Sequence, residues 1–194
     1  LWLLGNKAFV FDPKPSRIYP QKNLFSHILG QTDDTNIGIS GIEKFFDKDL
    51  TNEENFNTPL HLTIDSNLQH LIREELINSQ LNFNNIGSGA ILMEVETGEI
   101  LSLVSLPDYD LNKRNSIKDN IYTNKITLGV YELGSVFKTF TIAAGLENRV
   151  INPNTLFKNL KHSITCDKYT IHEHDKLPTS LSVEQILIRS SNIG

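Results

Sequence analysis

Tyr131-Glu132-Leu133-Gly134-Ser135-Val136-Phe137-Lys138 is the stretch on which the reading of this 194-residue chain turns. From Gly134 onward, Val136, Phe137, Phe140, Ala143 and Ala144 recur at helical spacing, which predicts a helix buried on much of its circumference and near the centre of a fold. Ser135 falls in its first turn. Three positions on, Lys138 shares that helix face, so its amine can reach the serine hydroxyl. A serine hydroxyl is a weak nucleophile until a base takes its proton, and a lysine desolvated among Phe137 and Phe140 has its pKa pushed down, which fits it to act as that base. Backbone amides at a helix start favour a developing oxyanion, and Gly134 lets a substrate approach closely. The spacing alone is weak evidence: 15 Ser and 13 Lys in 194 residues give about one SxxK by chance.

Downstream, Ser182 and Gln185 form a capping-box pattern ahead of Val183, Ile186 and Leu187. This predicts a helix over 182–190 whose end delivers Ser190-Ser191-Asn192, the chain's only SxN. With 15 Ser and 20 Asn, one to two such matches arise by chance, roughly. Taken alone the triplet is a helix C-terminus; after an SxxK, its hydroxyl and amide could point into a shared cleft. Upstream, the apolar runs 89–95 and 100–105 flank Glu96-Thr97-Gly98-Glu99 and predict a hairpin. Before it, Leu60-His61-Leu62-Thr63-Ile64 alternates like a short strand, and Asp65 or Ser66 can cap a helix with the apolar face Leu68, Leu71, Ile72 and Leu76; Ser66 with Gln69 fits a capping box. Residues 106–130 are mostly polar and read as a long loop with at most one short helix. Residues 1–57, with Pro13, Pro15, Pro20, Gly30, Gly38 and Gly41, read as an irregular region ending in a polar linker.

Composition narrows the classes. An apolar fraction of 39% supports one ordinary core or two small ones and excludes a disordered tail. The net charge of -5, with both signs spread along the chain, is no nucleic-acid footprint. The single Cys166 cannot form an internal disulfide. No run approaches a membrane span, since Leu1-Trp2-Leu3-Leu4 is broken by Gly5, Asn6 and Lys7. A start at Leu and a stop at Gly194 read as a piece of a longer protein. Cys166, Asp167, His172, His174 and Asp175 cluster, but HxH with one distant Cys matches no strong ligand spacing, so no metal site is assigned. Glu94, Glu96 and Glu99 read as solvated acids, and Arg17 and Glu43 as organisers of the upstream region.

The chain resembles the class B penicillin-binding proteins, and within them the cell-division peptidoglycan D,D-transpeptidases. The resemblance rests on Arg17-Ile18-Tyr19-Pro20, His27-Ile28-Leu29-Gly30, Gly38-Ile39-Ser40-Gly41-Ile42-Glu43, Leu62-Thr63-Ile64-Asp65 with Leu68-Gln69, and Thr97-Gly98-Glu99-Ile100-Leu101, then on 131–138 and Ser190-Ser191-Asn192, in the family's order. Leu133 and Val136 stand where the family usually has Pro and often has Thr. The family's third element, a Lys-Ser/Thr-Gly on a sheet strand, is absent, so the chain by itself is not expected to turn over substrate.

The resemblance implies an α/β fold, an antiparallel sheet flanked by helices with the hairpin as its first two strands. Residues 1–57 would then belong to an elongated pedestal and 58–194 to the first part of the transpeptidase domain. It also implies that Ser135 attacks a D-Ala-D-Ala stem peptide to form an acyl-enzyme and that Lys138 is the base. Ser190 would relay a proton to the leaving amine, Asn192 would bind the substrate backbone and orient Lys138, and Gly134 would admit the substrate. No cofactor is implied. Partners would be peptidoglycan stem peptides, β-lactams and cell-division membrane proteins, outside the cytoplasmic membrane and tethered by an upstream helix. Two other readings stay open: a β-lactam-hydrolysing or β-lactam-sensing relative, and a non-catalytic division scaffold.

Overall fold

The computed structural model describes residues 16–113 and 119–194; Leu1 to Lys7, Pro13, Pro15 and Asn115 lie outside the described residues. The chain divides into two compact units, Leu1–Val130 and Tyr131–Gly194.

The first unit opens with short helices α1 (Ser26–Leu29), α2 (Gly41–Phe45) and α3 (Asp47–Thr51), then a 3-10 turn at Glu53–Asn55. Arg17 Nη2 meets Glu43 Oε2 at 3.3 Å and the Tyr19 hydroxyl donates to Glu43 Oε1 at 3.1 Å, so the two charged residues do organise this region. Leu60 to Ile64 is not a strand. Its ties to the hairpin are a side-chain bond from Thr63 Oγ1 to the Ile100 carbonyl and a backbone bond from Asp65 N–H to the Leu101 carbonyl, too few for a ladder, and Leu60 and Leu62 stay exposed.

Helix α4 (Ser66–Phe83) starts at Asp65, whose carboxylate accepts from the N–H groups of Asn67 and Leu68. The expected capping box of Ser66 with Gln69 is therefore not formed. Gln69 is buried against strand β2 (Ile100–Leu106), which pairs antiparallel with β1 (Ser88–Met93) in the expected hairpin. Its Nε2 donates to the carbonyls of Leu24 and Leu103 at 3.0 and 2.8 Å, and its Oε1 accepts from Ser102 Oγ and Leu103 N–H at 2.7 and 3.0 Å. All four hydrogen-bonding positions of the amide are used. One turn on, Arg73 forms a fork on Asp108, at 2.6 Å to Oδ2 and 3.3 Å to Oδ1. The packed face of α4 is thus partly polar and centred on Gln69 and Arg73. For that reason Leu71, expected on the apolar face, lies 57% exposed, whereas Leu68, Ile72 and Leu76 are half-buried.

The stretch 106–130 holds one short helix, α5 (Asp119–Tyr122), as expected, but it is not loose. Tyr109 and Leu111 are buried with Tyr19, and Leu29, Ile121 and Tyr122 pack around them. Asn112 pairs with the Tyr19 backbone in both directions, its Oδ1 accepting at 3.0 Å and its Nδ2 donating at 2.8 Å, a side chain standing in for a neighbouring strand. Glu94, Glu96 and Glu99 are exposed around the hairpin turn.

The second unit begins with a 3-10 turn, Gly134–Phe137, that runs directly into α6 (Lys138–Glu147). Strand β3 (Leu156–Phe157) pairs with β6 (Leu181–Ser182), and β4 (Ser163–Cys166) pairs with β5 (Tyr169–His172), both antiparallel. Helix α7 (Val183–Ile188) follows, with its capping box complete between Ser182 and Gln185. Val183 and Ile186 of α7 are buried, with Leu181 of β6. Among the described residues the Ser135 helix is not covered on much of its circumference, although the spacing predicted that it would be. No residue of α6 is buried, and Val136, Phe137 and Phe140 are more than half exposed. Periodicity told which residues are apolar, not what covers them; among the described residues α6 packs on α7 and on the 3-10 turn that leads into it. No described helix is long and apolar enough to cross a membrane.

Candidate active site

The second unit contains every candidate residue. Gly134 enters the 3-10 turn at φ +55, a sign that L side chains adopt at a cost, and an added Cβ would meet nothing within 4 Å. Ser135 follows, exposed, with its carbonyl accepting from the Lys138 N–H. Val136 N–H is bonded to the Leu133 carbonyl at 3.2 Å and is therefore not one of the free amides of this helix start.

Lys138 is bonded to the SxN turn. Its Nζ donates to the Ser190 carbonyl at 2.6 Å, to Ser190 Oγ at 3.1 Å and to Asn192 Oδ1 at 2.7 Å. Among the described residues no hydrogen bond joins Nζ to Ser135 Oγ. The expected Ser-Lys contact is therefore replaced by a Lys-SxN contact, which links positions 52 and 54 residues apart. Nor do Phe137 and Phe140 enclose the amine, being 57% and 60% exposed.

The end of α7 explains why SxN faces the lysine. Ser190 N–H bonds the Leu187 carbonyl and Ser191 N–H bonds the Ile186 carbonyl, the paired bonds of a Schellman ending. That motif needs a left-handed residue after the cap, a place usually taken by Gly, and here Ser190 fills it at φ +51. The conformation costs an L residue roughly 1–2 kcal/mol. It turns both the carbonyl and the hydroxyl of Ser190 onto one ammonium. The helix C-terminus and the functional reading of this triplet are thus the same geometry.

Glu173 is the residue that sequence reasoning missed. It is 9% exposed, directly after β5, and its carboxylate accepts from the Ser191 hydroxyl, from Asn192 N–H at 2.8 Å and from Ile193 N–H at 3.1 Å. The other side of the turn is tied by Asn192 Nδ2, which donates to the His172 carbonyl at 2.9 Å. In sequence Glu173 sat within a run of His and Asp that suggested at most a metal; the one usable signal was an acid placed just after an alternating segment. Burial alone would raise its pKa. The bonds from Ser191, Asn192 and Ile193, with the positive charge of Lys138, outweigh that and hold it below the usual carboxylate value.

A folded-state value below the unfolded one gives stability that is complete above the unfolded pKa and lost as pH falls through the folded one. Protection of the Asn192 and Ile193 amides, corrected for intrinsic exchange, is therefore expected to be flat from neutrality down to the ordinary carboxylate range and to fall only in stronger acid. Loss of protection already near pH 6 would contradict this.

An ammonium has three N–H donors and no acceptor, and Lys138 spends all three. Once neutral, the same nitrogen has two N–H donors and a lone pair. It can keep Asn192 Oδ1 and the Ser190 carbonyl as acceptors and take the Ser190 hydroxyl proton as a donor. The arrangement can pass a proton between an amine and a hydroxyl without moving a heavy atom.

The family model of the penicillin-binding protein transpeptidase domain matches residues 88–194. A probable peptidoglycan D,D-transpeptidase FtsI of Caulobacter vibrioides is 31% identical over 98% of this chain and 32% of its own length. The peptidoglycan D,D-transpeptidase FtsI of Escherichia coli is 29% identical over 92% of this chain and 34% of its own. The chain thus spans about a third of the length of these relatives. Among solved structures, penicillin-binding protein 3 of Mycobacterium tuberculosis superposes with a TM-score of 0.76 over 92% of this chain and 42% of that one, at 20% identity, and shares its fold. With the family model covering more than half of the residues, among them the Ser135 turn, Lys138 and the Ser190 triplet, the chain belongs to the penicillin-binding protein transpeptidase family.

Proposed function

We propose that the chain is part of a class B peptidoglycan D,D-transpeptidase that cross-links stem peptides in septal wall synthesis and is acylated by β-lactams. The observation that carries this is the triple donation from Lys138 Nζ to Ser190 and Asn192. It joins the two motif elements on which a serine acyl-transfer site depends, and the names of the relatives support the substrate class.

In this reading neutral Lys138 takes the Ser135 hydroxyl proton as Oγ attacks the carbonyl carbon of the penultimate D-Ala. The C–N bond to the terminal D-Ala breaks, and the proton passes through Lys138 and Ser190 to the departing amine. An amine of a second stem peptide then attacks the ester, gives up its proton along the same route and releases Ser135 as the cross-link forms. A β-lactam enters by the same attack, its ring C–N bond opening in place of the peptide bond. Reaching Ser135 requires the Lys138 ammonium to lose its proton and to let one of its present acceptors go.

Residues 1–57 are assigned to a pedestal and 58–194 to the first part of the transpeptidase domain, with a membrane tether upstream, the Lys-Ser/Thr-Gly strand downstream and division proteins as partners on the outer face of the membrane. The test is turnover by the complete protein. A stem peptide ending in D-Ala-D-Ala, supplied with an amine-bearing acceptor, is expected to yield cross-linked dimer and free D-Ala in equal amounts. Rapid penicillin hydrolysis without dimer, or no reaction with either substrate, would overturn the assignment.

A further inference from the structure

We propose that Glu173 is a positioning residue for acyl transfer, acting through the Ser191-Asn192-Ile193 turn to hold the acceptors that fix the Lys138 amine; the proposal rests on the transpeptidase reading. Glu173 touches neither Lys138 nor Ser135 through a hydrogen bond. It holds the backbone of the residue whose side chain holds Lys138: Asn192 N–H donates to Glu173 Oε2 at 2.8 Å while Asn192 Oδ1 accepts from Nζ at 2.7 Å. The Ser191 hydroxyl donates to Oε1, and Ile193 N–H donates to the same oxygen at 3.1 Å. Three donors converge on one buried carboxylate from three successive residues.

The need for such an anchor follows from the turn itself. Ser190 is held in a left-handed conformation that its side chain disfavours, and the Schellman bonds fix it only from the helix side. Beyond Ser190 the chain has left α7, and its remaining hydrogen bonds among the described residues are to the Glu173 carboxylate, the His172 carbonyl, Lys138 Nζ and, locally, Ser191 Oγ. Without the carboxylate, the donors of Ser191, Asn192 and Ile193 lose their acceptor at once in a partly buried place, and the tie to the His172 carbonyl is left to hold the Asn192 amide toward Nζ without support from the backbone behind it. A group displaced by about 1 Å costs on the order of 100-fold in rate when the reaction depends on its placement. Glu173 also keeps a negative charge behind Lys138 without neutralising it by direct pairing.

The experiment uses the complete protein and a chromogenic penicillin, separating the reversible binding constant from the acylation rate constant by stopped flow. Glu173→Gln keeps shape but presents an NH2 group to a site made of donors; it is expected to lower the acylation rate constant by about 10- to 100-fold with binding changed by less than about threefold. Glu173→Asp restores a carboxylate and is expected to recover a large part of that loss. Ser191→Ala removes one donor to the carboxylate, and with it the hydroxyl that accepts from Ile193 and Gly194 N–H, but leaves the two backbone donors to Glu173, so an intermediate loss is expected, and it serves if Glu173→Gln does not fold. Melting temperatures of all variants are recorded beside the rates.

A wild-type acylation rate retained in folded Glu173→Gln or Ser191→Ala would overturn the positioning role while leaving the transpeptidase reading intact. Equal losses in Gln and Asp, tracking the fall in melting temperature, would reduce Glu173 to a structural residue and overturn it as well. Failure of the unaltered protein to be acylated at all would instead sink the functional reading on which the proposal rests.

Discussion

Replacing Gln69 with Ala is expected to cost the first unit roughly 3–5 kcal/mol, a loss that few single changes reach. The side chain is 1% exposed and its amide answers four partners: the carbonyls of Leu24 and Leu103, the Ser102 hydroxyl and the Leu103 N–H. Truncation leaves those groups buried without partners, each at about 1–3 kcal/mol before relaxation, and adds a cavity. Gln69→Glu is the sharper variant because it preserves size and both acceptor bonds but turns two donations into oxygen facing oxygen. Thermal unfolding of the complete protein, read with amide exchange on α4 and β2, is expected to show both variants strongly destabilised. A Glu variant that melts with the wild type would mean that the amide donations contribute little.

The second large effect is on chemistry. Lys138→Ala is expected to lower the acylation rate constant by about 10²–10⁴-fold, the usual range for removing a general base. Lys138→Arg decides between roles: it retains charge and hydrogen-bond donors toward Ser190 and Asn192 but cannot give up a proton near neutrality. If Lys138 acts as base, Arg loses as much as Ala. If it serves only to hold the SxN turn, Arg recovers most of the rate, and the proton route drawn above is wrong. The measurement is stopped-flow acylation of the complete protein by a chromogenic penicillin, with melting temperatures as control.

How far the sequence carried the reading can be judged from particular residues. The capping box at Ser182 and Gln185, the hairpin over 88–106 and the order of SxxK before SxN are local patterns, and each was legible because its cause lies within a few residues. The roles of Gln69, Tyr109 and Glu173 were not, because each is set by a partner far along the chain: Gln69 by Leu24 and Leu103, Tyr109 by Gln31 and Tyr19, Glu173 by Ser191 to Ile193. A polar residue at a position with a local explanation hides a distant one, as Gln69 did behind Ser66. The left-handed Ser190 was hidden for the opposite reason: Gly is the usual signal for that conformation, and a Ser gives none. Helix α6 is less covered among the described residues than its spacing suggested, because an apolar stripe names a surface and not its partner.

The central claim is that Ser135 is the acylated nucleophile of a site assembled with Lys138, Ser190 and Asn192. The most direct measurement is to incubate the complete protein with a fluorescent penicillin and map the adduct by peptide mass, with Ser135→Ala alongside. One penicilloyl group on the peptide containing Ser135, and none in the variant, is the predicted result. No adduct on the folded protein, or an adduct that persists in Ser135→Ala, would contradict the account.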